Sequence, residues 1–279
     1  MSSKIITLIT DFGQNDSYVG SLKGVILSIN PSVTLVDISH EVTPYNVIEA
    51  GFLLGRTSGY FPPGTIHLTV VDPGVGSSRK PLALVTPSKI FIGPDNGIFS
   101  QILSEQKNYG NFPINDQGLN QRPCFVSGGG VRAYHLSNPD FWLQPVSRTF
   151  HARDIFAPVA AYLSLGINPN LMGEEIQSLE NLELPVIGRS ESRITGSVII
   201  VDRFGNLITN IEPSLLGAQK FVIVIKDYVI SGLSESYSQG TPLLAIIGSH
   251  GFIEIAVKEG NASGYLGVGV GEGVLVEFM

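Results

Sequence analysis

Apolar residues follow two different rhythms along this chain. In the first half, short unbroken apolar runs alternate with stretches whose apolar positions recur every three or four residues. "KIITLIT" (4–10), "VTLVDIS" (33–39) and "TIHLTVVD" (65–72) are of the first kind and read as strands. Between them, Val19, Leu22, Val25, Ile26 and Ile29 share a helical face that stops at Asn30-Pro31, and "NVIEAGFLLGRTS" (46–58) reads as a second helix introduced by Pro44. Strands that are apolar throughout must be covered on both faces. Their alternation with helices therefore predicts an α/β unit built on a mostly parallel sheet with flanking helices. In such a fold ligands are expected in the loops at the carboxyl ends of the strands.

"LALVTPSKIFIGPDNGIFSQIL" (82–103) continues the pattern with two short strands and a helix start. Periodicity lapses over 105–130, which reads as a loop or irregular excursion. "ARDIFAPVAAYLSLG" (152–166) restores a helical face, with Asp154 placed to cap it and Pro158 early enough to be tolerated. A polar stretch broken by Pro185 then reads as a crossing linker. From residue 194 the rhythm changes to short alternating strands, "TGSVIIVDRFGNLITNI", "KFVIVIKDYVI", "PLLAIIGS", "FIEIAV" and "GVLVEF", with glycine-bearing turns between them. The expected organisation is an amino-terminal α/β domain over 1–175, a linker over 176–193 and a smaller antiparallel β-barrel-like domain over 194–279.

Composition narrows the possible partners. The formal charge is −7 with no basic cluster, so an extended nucleic-acid footprint lacks its counter-charge, whereas a small or zwitterionic ligand is easily accommodated. The single cysteine, Cys124, has no internal disulfide partner. The opening "MSSKIITLIT" has no apolar signal segment with a small-residue cleavage site, so a cytoplasmic protein is expected. No run approaches the roughly 20 apolar residues that span a bilayer, and no membrane association is expected. Charged residues make up 15% of the chain against 43% apolar, a balance that predicts burial of part of the surface against other subunits.

Candidate chemistry lies in the loops. "TDFGQNDSY" (10–18) sets Asp11 at a strand end and Asp16 near a helix start, where the first suits a ribose diol and the second either an ammonium group or a helix cap. "TVVDPGVGSSRKPLAL" (69–84) separates Asp72 from Arg79 by a loop able to turn tightly and bring the two side chains to one point. There they either fasten the turn as an ion pair or hold a polar ligand. "TFHARDIF" (149–156) offers His151 at a helix entrance, suited to a water or an oxyanion, or simply exposed there. "VDRFGNLITN" (201–210) gathers Asp202, Phe204 and Asn206 around a hairpin turn. An aromatic ring and an amide also serve adenine, although the turn needs no ligand to explain it. One cysteine, no HExxH and no close histidine pair argue against a structural zinc and leave only a mixed Asp/His metal site open, the absence of GxSxG argues against a serine hydrolase, and neither a P-loop nor a dinucleotide glycine pattern occurs.

Taken in order, "TDFGQNDSYVGSLKG", "VTPYNVIEA", "VVDPGVGSSR", "IGPDNGIFS", "TFHARDIFAPVAAYL", "DRFGNLITNI" and "GNAS" span nearly the whole chain. The sequence resembles the S-adenosyl-L-methionine (SAM) hydroxide adenosyltransferases, the adenosine-forming SAM hydrolases, which are relatives of the SAM-dependent fluorinases and chlorinases. The resemblance implies hydrolysis of SAM to adenosine and L-methionine at the ribose C5′, with no further cofactor and no metal. It also implies a homotrimer whose sites lie between the amino-terminal domain of one subunit and the carboxyl-terminal domain of the next. It assigns the catalytic set to Asp72, Arg79 and His151, and the ribose diol to Asp11. Asp16, Asp202 and Ser249 fall around the methionine amino-acid group, Tyr45 near the ribose, and Phe204, Asn206, Asn261 and Ala262 on the adenine side.

Two features depart from the family pattern. The 105–130 stretch is longer than the spacing between "PDNG" and "TFH" leads one to expect, and "HARD" stands where "HGRD" is usual. The implied chemistry is coherent, because a sulfonium is already a good leaving group and the barrier lies in desolvating and aligning the attacking oxygen. Two alternatives accompany it. One is a non-catalytic SAM or adenosine sensor. The other is a halogenase, which the charged Asp-Arg-His set disfavours.

Overall fold

The computed structural model describes residues 4–105, 122–125, 130–182, 185–239 and 241–279, which form two compact units. Most of the excursion expected over 105–130 lies outside the described residues.

The first unit opens with β1 (Ile5–Thr10), α1 (Tyr18–Ile29), β2 (Thr34–Ser39), α2 (Val47–Ser58) and β3 (Ile66–Val70). It continues with β4 (Pro81–Val85), β5 (Ile90–Pro94), α3 (Ser100–Glu105), β6 (Arg122–Phe125), β7 (Arg132–His135), α4 (Ala157–Ser164), β8 (Glu175–Ile176) and β9 (Ser178–Asn181). Its sheet runs in the order β2-β1-β3-β5-β4-β7-β8. The strands from β2 to β5 are parallel, as the apolar runs predict, and β4, β7 and β8 extend the sheet antiparallel. Strand alternation divides the core between the two faces. Ile6 and Leu8 pack with Leu22 and Ile26 of α1 and with Phe156 and Val159, while Ile9 packs with Ala50 and Leu54 of α2 and Ile102 of α3. The α2 entrance is fixed locally, since the Glu49 amide donates to the Asn46 side chain and the Glu49 carboxylate accepts from the Thr43 amide, both at 3.1 Å.

Because β5 lies between β3 and β4, the chain leaving β3 must cross the end of β5 to enter β4. That crossing is the 71–80 loop, and it lies at the same carboxyl edge of the parallel strands as residue 11 after β1. The 152–166 segment differs from expectation at its start. Ala152–Phe156 form a π-helical turn before α4, and Asp154 lies inside that turn, fully buried, where it does not cap the helix. Its carboxylate accepts from the Ser147 amide at 2.8 Å and from Arg153 at 2.6 and 3.0 Å. The stretch 176–193, read as a linker, includes the short strand β9, which pairs with β6.

The second unit contains β10 (Gly188–Arg189), β11 (Arg193–Val201), β12 (Leu207–Thr209), β13 (Phe221–Ile225), β14 (Tyr228–Ser231), β15 (Leu243–Ile247), β16 (Ile253–Val257), α5 (Ala262–Leu266) and β17 (Gly273–Phe278). The named strand pairs are all antiparallel, in the order β14-β13-β17-β11-β12-β16-β15, with β10 added beside β11. Ser234, just past β14, bridges to Ile246 of β15 and nearly closes the sheet on itself. Alternate residues, including Ile194, Val198, Ile223, Ile225, Ile253, Ile255, Val274 and Val276, fill the interior, which gives the barrel-like form that the short alternating strands predict. Among the described residues no helix is long and apolar enough to cross a membrane.

Candidate active site

The "DPGVGSSR" loop folds back on itself. The Val75 amide donates to the Asp72 carbonyl at 3.2 Å, and both the amide (3.0 Å) and the hydroxyl (2.6 Å) of Ser77 bond the Gly74 carbonyl. Gly76 adopts φ +78°, and a Cβ there would sit 2.5 Å from the Arg148 carbonyl oxygen, so glycine lets the loop press against the segment that leads to His151. As a result Arg79 meets Asp72 in a bidentate pair. Its Nε lies 2.9 Å from Asp72 Oδ1, and its Nη2 donates to Oδ2. The same Nη2 donates its other proton to His151 Nδ1 at 2.9 Å. The side chains of Arg79 and Asp72 are only 9% and 7% exposed, and the guanidinium rests on the Phe156 ring with its carbon 5.2 Å from the centroid.

This arrangement fixes the state of the histidine. Accepting from Arg79 leaves the neutral ring's proton on Nε2. Burial, followed by the positive charge of Arg79, lowers the His151 pKa below the usual histidine value, and the carboxylates of Asp72 and Asp154 oppose this only in part. Arg79 Nη1 is buried with no hydrogen-bond partner among the described residues, a donor whose desolvation an incoming oxygen would offset.

Asp72 and His151 line a cleft of about 530 Å³ together with Asp11 and Tyr45. Asp11 Oδ2 accepts the Tyr45 amide at 2.9 Å, and Tyr45 adopts φ +67°, a left-handed conformation that costs a non-glycine residue about 1–2 kcal/mol. The hydrogen bond holds that conformation and leaves the residue 71% exposed. The cleft also contains an aromatic trio that the sequence reading passed over. Phe12, Tyr18 and Phe150 have centroids 5.1–5.8 Å apart in tilted and edge-to-face contacts. The available signal was their place inside the same "DFGQNDSY" and "TFH" segments as Asp11 and His151. Asp16 does not line this cleft. It is exposed one position before Ser17, the residue at the helix start, so it does not cap α1 either.

In the second unit, five of the predicted residues form one small cluster. Asp202 Oδ1 accepts the amides of Phe204 (2.9 Å) and Asn206 (2.8 Å), and Oδ2 accepts the Asn206 side-chain amide at 3.0 Å. This clamp holds Phe204 76% exposed. Gly205 turns the hairpin with φ +84° against the Asn261 side chain, which a Cβ would approach to 2.2 Å. Asn261 in turn caps α5 through the Gly264 amide at 2.6 Å, and Ala262 is buried beneath it. Ser249 is exposed in the turn that follows β15. Among the described residues no group of three or more His, Cys, Asp and Glu side chains is arranged to hold a metal ion.

Comparison with known proteins agrees with these motifs. The family model for the SAM hydroxide adenosyltransferase N-terminal domain matches residues 6–173, and that for the C-terminal domain matches residues 196–275. An (R)-S-adenosyl-L-methionine hydrolase from Methanocaldococcus jannaschii is 33% identical over 95% of this chain and 92% of its own. A fluorinase from Actinoplanes sp. is 26% identical over 90% of each chain. The crystal structure of an uncharacterized conserved protein from Thermotoga maritima superposes with a TM-score of 0.82 at 34% identity, covering 97% of this chain and 99% of that one.

Proposed function

This chain belongs to the SAM hydroxide adenosyltransferase family, and from that premise we propose that it hydrolyses S-adenosyl-L-methionine to adenosine and L-methionine. The observation that carries the reading is the single hydrogen-bonded set Asp72–Arg79–His151, of which Asp72 and His151 line the cleft. The oxygen of water or hydroxide attacks C5′ and the C5′–S bond breaks. Its electron pair stays on sulfur, which becomes the neutral thioether of methionine; attack by water releases one proton, and attack by hydroxide releases none. Arg79 and the Nε2–H of His151 hold and polarise the nucleophile. Asp72 orients Arg79 and is the carboxylate placed to take the proton. Asp11 serves the ribose diol and Tyr45 the ribose face. Asp16, Asp202 and Ser249 serve the amino-acid end, and Phe204, Asn206, Asn261 and Ala262 the adenine. A halide nucleophile calls for a smaller, less charged site than this one.

We propose the same division of labour at the larger scale, with residues 1–175 carrying the catalytic set and 194–279 contributing adenine and methionine contacts, joined by 176–193. We further propose a cytoplasmic homotrimer in which neighbouring subunits complete each site. The low charged fraction supports this, as do exposed apolar side chains in both units, among them Leu165, Leu171, Ile247 and Val270.

Steady-state product analysis with purified protein tests the function. Wild type is expected to release adenosine and methionine in equal amounts. His151→Ala and Asp72→Ala are expected to lose about a hundredfold or more in kcat. SAM that is bound but stays intact in the wild type would instead establish the sensor.

A further inference from the structure

Strand β16 carries a carboxylate where its pattern calls for an apolar residue. Glu254 is 3% exposed and lies opposite Ile208 of β12 and Ile246 of β15. A charge so placed is costly unless it is fully hydrogen-bonded. Both of its oxygens are used. Oε1 accepts the Tyr237 hydroxyl at 2.7 Å, and Oε2 accepts His250 Nε2 at 3.0 Å. Burial alone would raise the Glu254 pKa, yet the hydrogen bonds from His250 and Tyr237 keep it below the usual value. The Tyr237 hydroxyl is pushed up to about 12 by burial and by Glu254, with Asp202 close enough to add to the effect.

His250 is locked at its other nitrogen as well, since Nδ1 accepts the Phe252 amide at 3.2 Å. The neutral tautomer with its proton on Nε2 satisfies both bonds. The turn that carries Ser249 is wrapped around this ring. The Gly251 amide closes on the Gly248 carbonyl at 2.9 Å, and the Gly248 amide closes on the Phe252 carbonyl at 3.0 Å. Gly248 leaves the space the ring needs, because a Cβ there would lie 2.2 Å from His250 Nε2 and 2.8 Å from Glu254 Oε2. The Ser249 turn is thus seated on a Tyr–Glu–His cluster whose carboxylate is buried, with Tyr237 half exposed at its edge.

We propose that Tyr237, Glu254 and His250 are positioning residues that set the Ser249 turn for the amino-acid end of the substrate, and so govern affinity for that end specifically. This rests on the reading of SAM as substrate with Ser249 and Asp202 at its methionine side. Glu254 acts through His250 and Tyr237 and touches no reacting atom.

The test compares Glu254→Gln and Tyr237→Phe with wild type for KM and kcat on SAM and, by calorimetry, for Kd of adenosine, which lacks the amino-acid end. Glu254→Gln is expected to raise KM by roughly tenfold with kcat within about twofold and adenosine binding unchanged. Tyr237→Phe is expected to give the same split at about threefold, and it decides the matter should Glu254→Gln fail to fold. Folded variants with wild-type KM, or variants that lose SAM and adenosine affinity in parallel, overturn the proposal. If wild type binds SAM without turnover, the hydrolase reading fails, and the Kd of SAM replaces KM in the same comparison. No binding of SAM by wild type defeats both.

Discussion

At the residue scale one guanidinium makes three directed hydrogen bonds, two to Asp72 and one to His151. A lysine in its place carries the charge but not the planar fork. Arg79→Lys is therefore expected to lower kcat by about a hundredfold while the melting temperature changes little, as measured by steady-state kinetics beside calorimetry. Retention of most of the wild-type kcat would show that charge alone suffices. The histidine sets the pH dependence. Its pKa is lowered by burial and by Arg79, so the acidic limb of the kcat profile is expected below the ordinary histidine value near 6.5, where protonation forces Nδ1 to face Arg79 as a second donor. The meeting of Asp72 and Arg79 was legible in the sequence because a short loop limits where their side chains can reach, whereas His151 joined them only through the family resemblance. Tyr237, Glu254 and His250 were not legible. They come from a loop, a strand and a turn with no shared motif, and only the folded sheet brings them together.

At the scale of elements, the proposed site is built on the 71–80 loop crossing the end of β5. The parallel strands and their helices were readable from apolar runs and helical spacing, because burial on both sheet faces leaves few other solutions. The antiparallel extension by β4, β7 and β8 was not, since short apolar strands look alike in either direction. The π-helical turn after His151 was also hidden. Its sequence matches an ordinary helix start, and the arrangement depends on tertiary bonds to Asp154. Gly76 tests the loop geometry. Gly76→Ala meets both a positive φ and the Arg148 carbonyl 2.5 Å away, and is expected to cost about 1–3 kcal/mol in chemical unfolding along with most of the activity. Unchanged stability and rate would show that the close approach to residue 148 plays no part in placing His151.

At the scale of the whole molecule, stability and assembly carry separate signatures. His67 is fully buried between Phe61 and Phe91, bonded to Thr7 at 2.7 Å, with its pKa lowered to about 3 by burial and then by Lys89. Below pH of about 6.5 the unfolded chain takes up a proton at this residue that the native state refuses, so its contribution falls by up to about 1.4 kcal/mol per pH unit as pH drops toward 3. Asp95, raised to about 6 by burial, works in the opposite direction between its ordinary value and 6. Denaturant unfolding of wild type and His67→Gln at pH 7 and pH 5 isolates the histidine. The variant is expected to lose less stability on acidification, and equal losses would place the acid sensitivity elsewhere. Assembly is tested by dilution. Activity per chain is expected to fall as subunits separate, whereas a monomer with undiminished turnover would contradict shared sites.

The most direct test of the central claim is hydrolysis of SAM in ¹⁸O-labelled water, with mass spectrometry of both products. The account predicts one labelled oxygen in adenosine, at the 5′ hydroxyl, and none in methionine, because the nucleophile held by Arg79 and His151 attacks carbon C5′. Unlabelled adenosine, or a label carried by the sulfur-containing product, would place the attack elsewhere and contradict the role assigned to the Asp72–Arg79–His151 set.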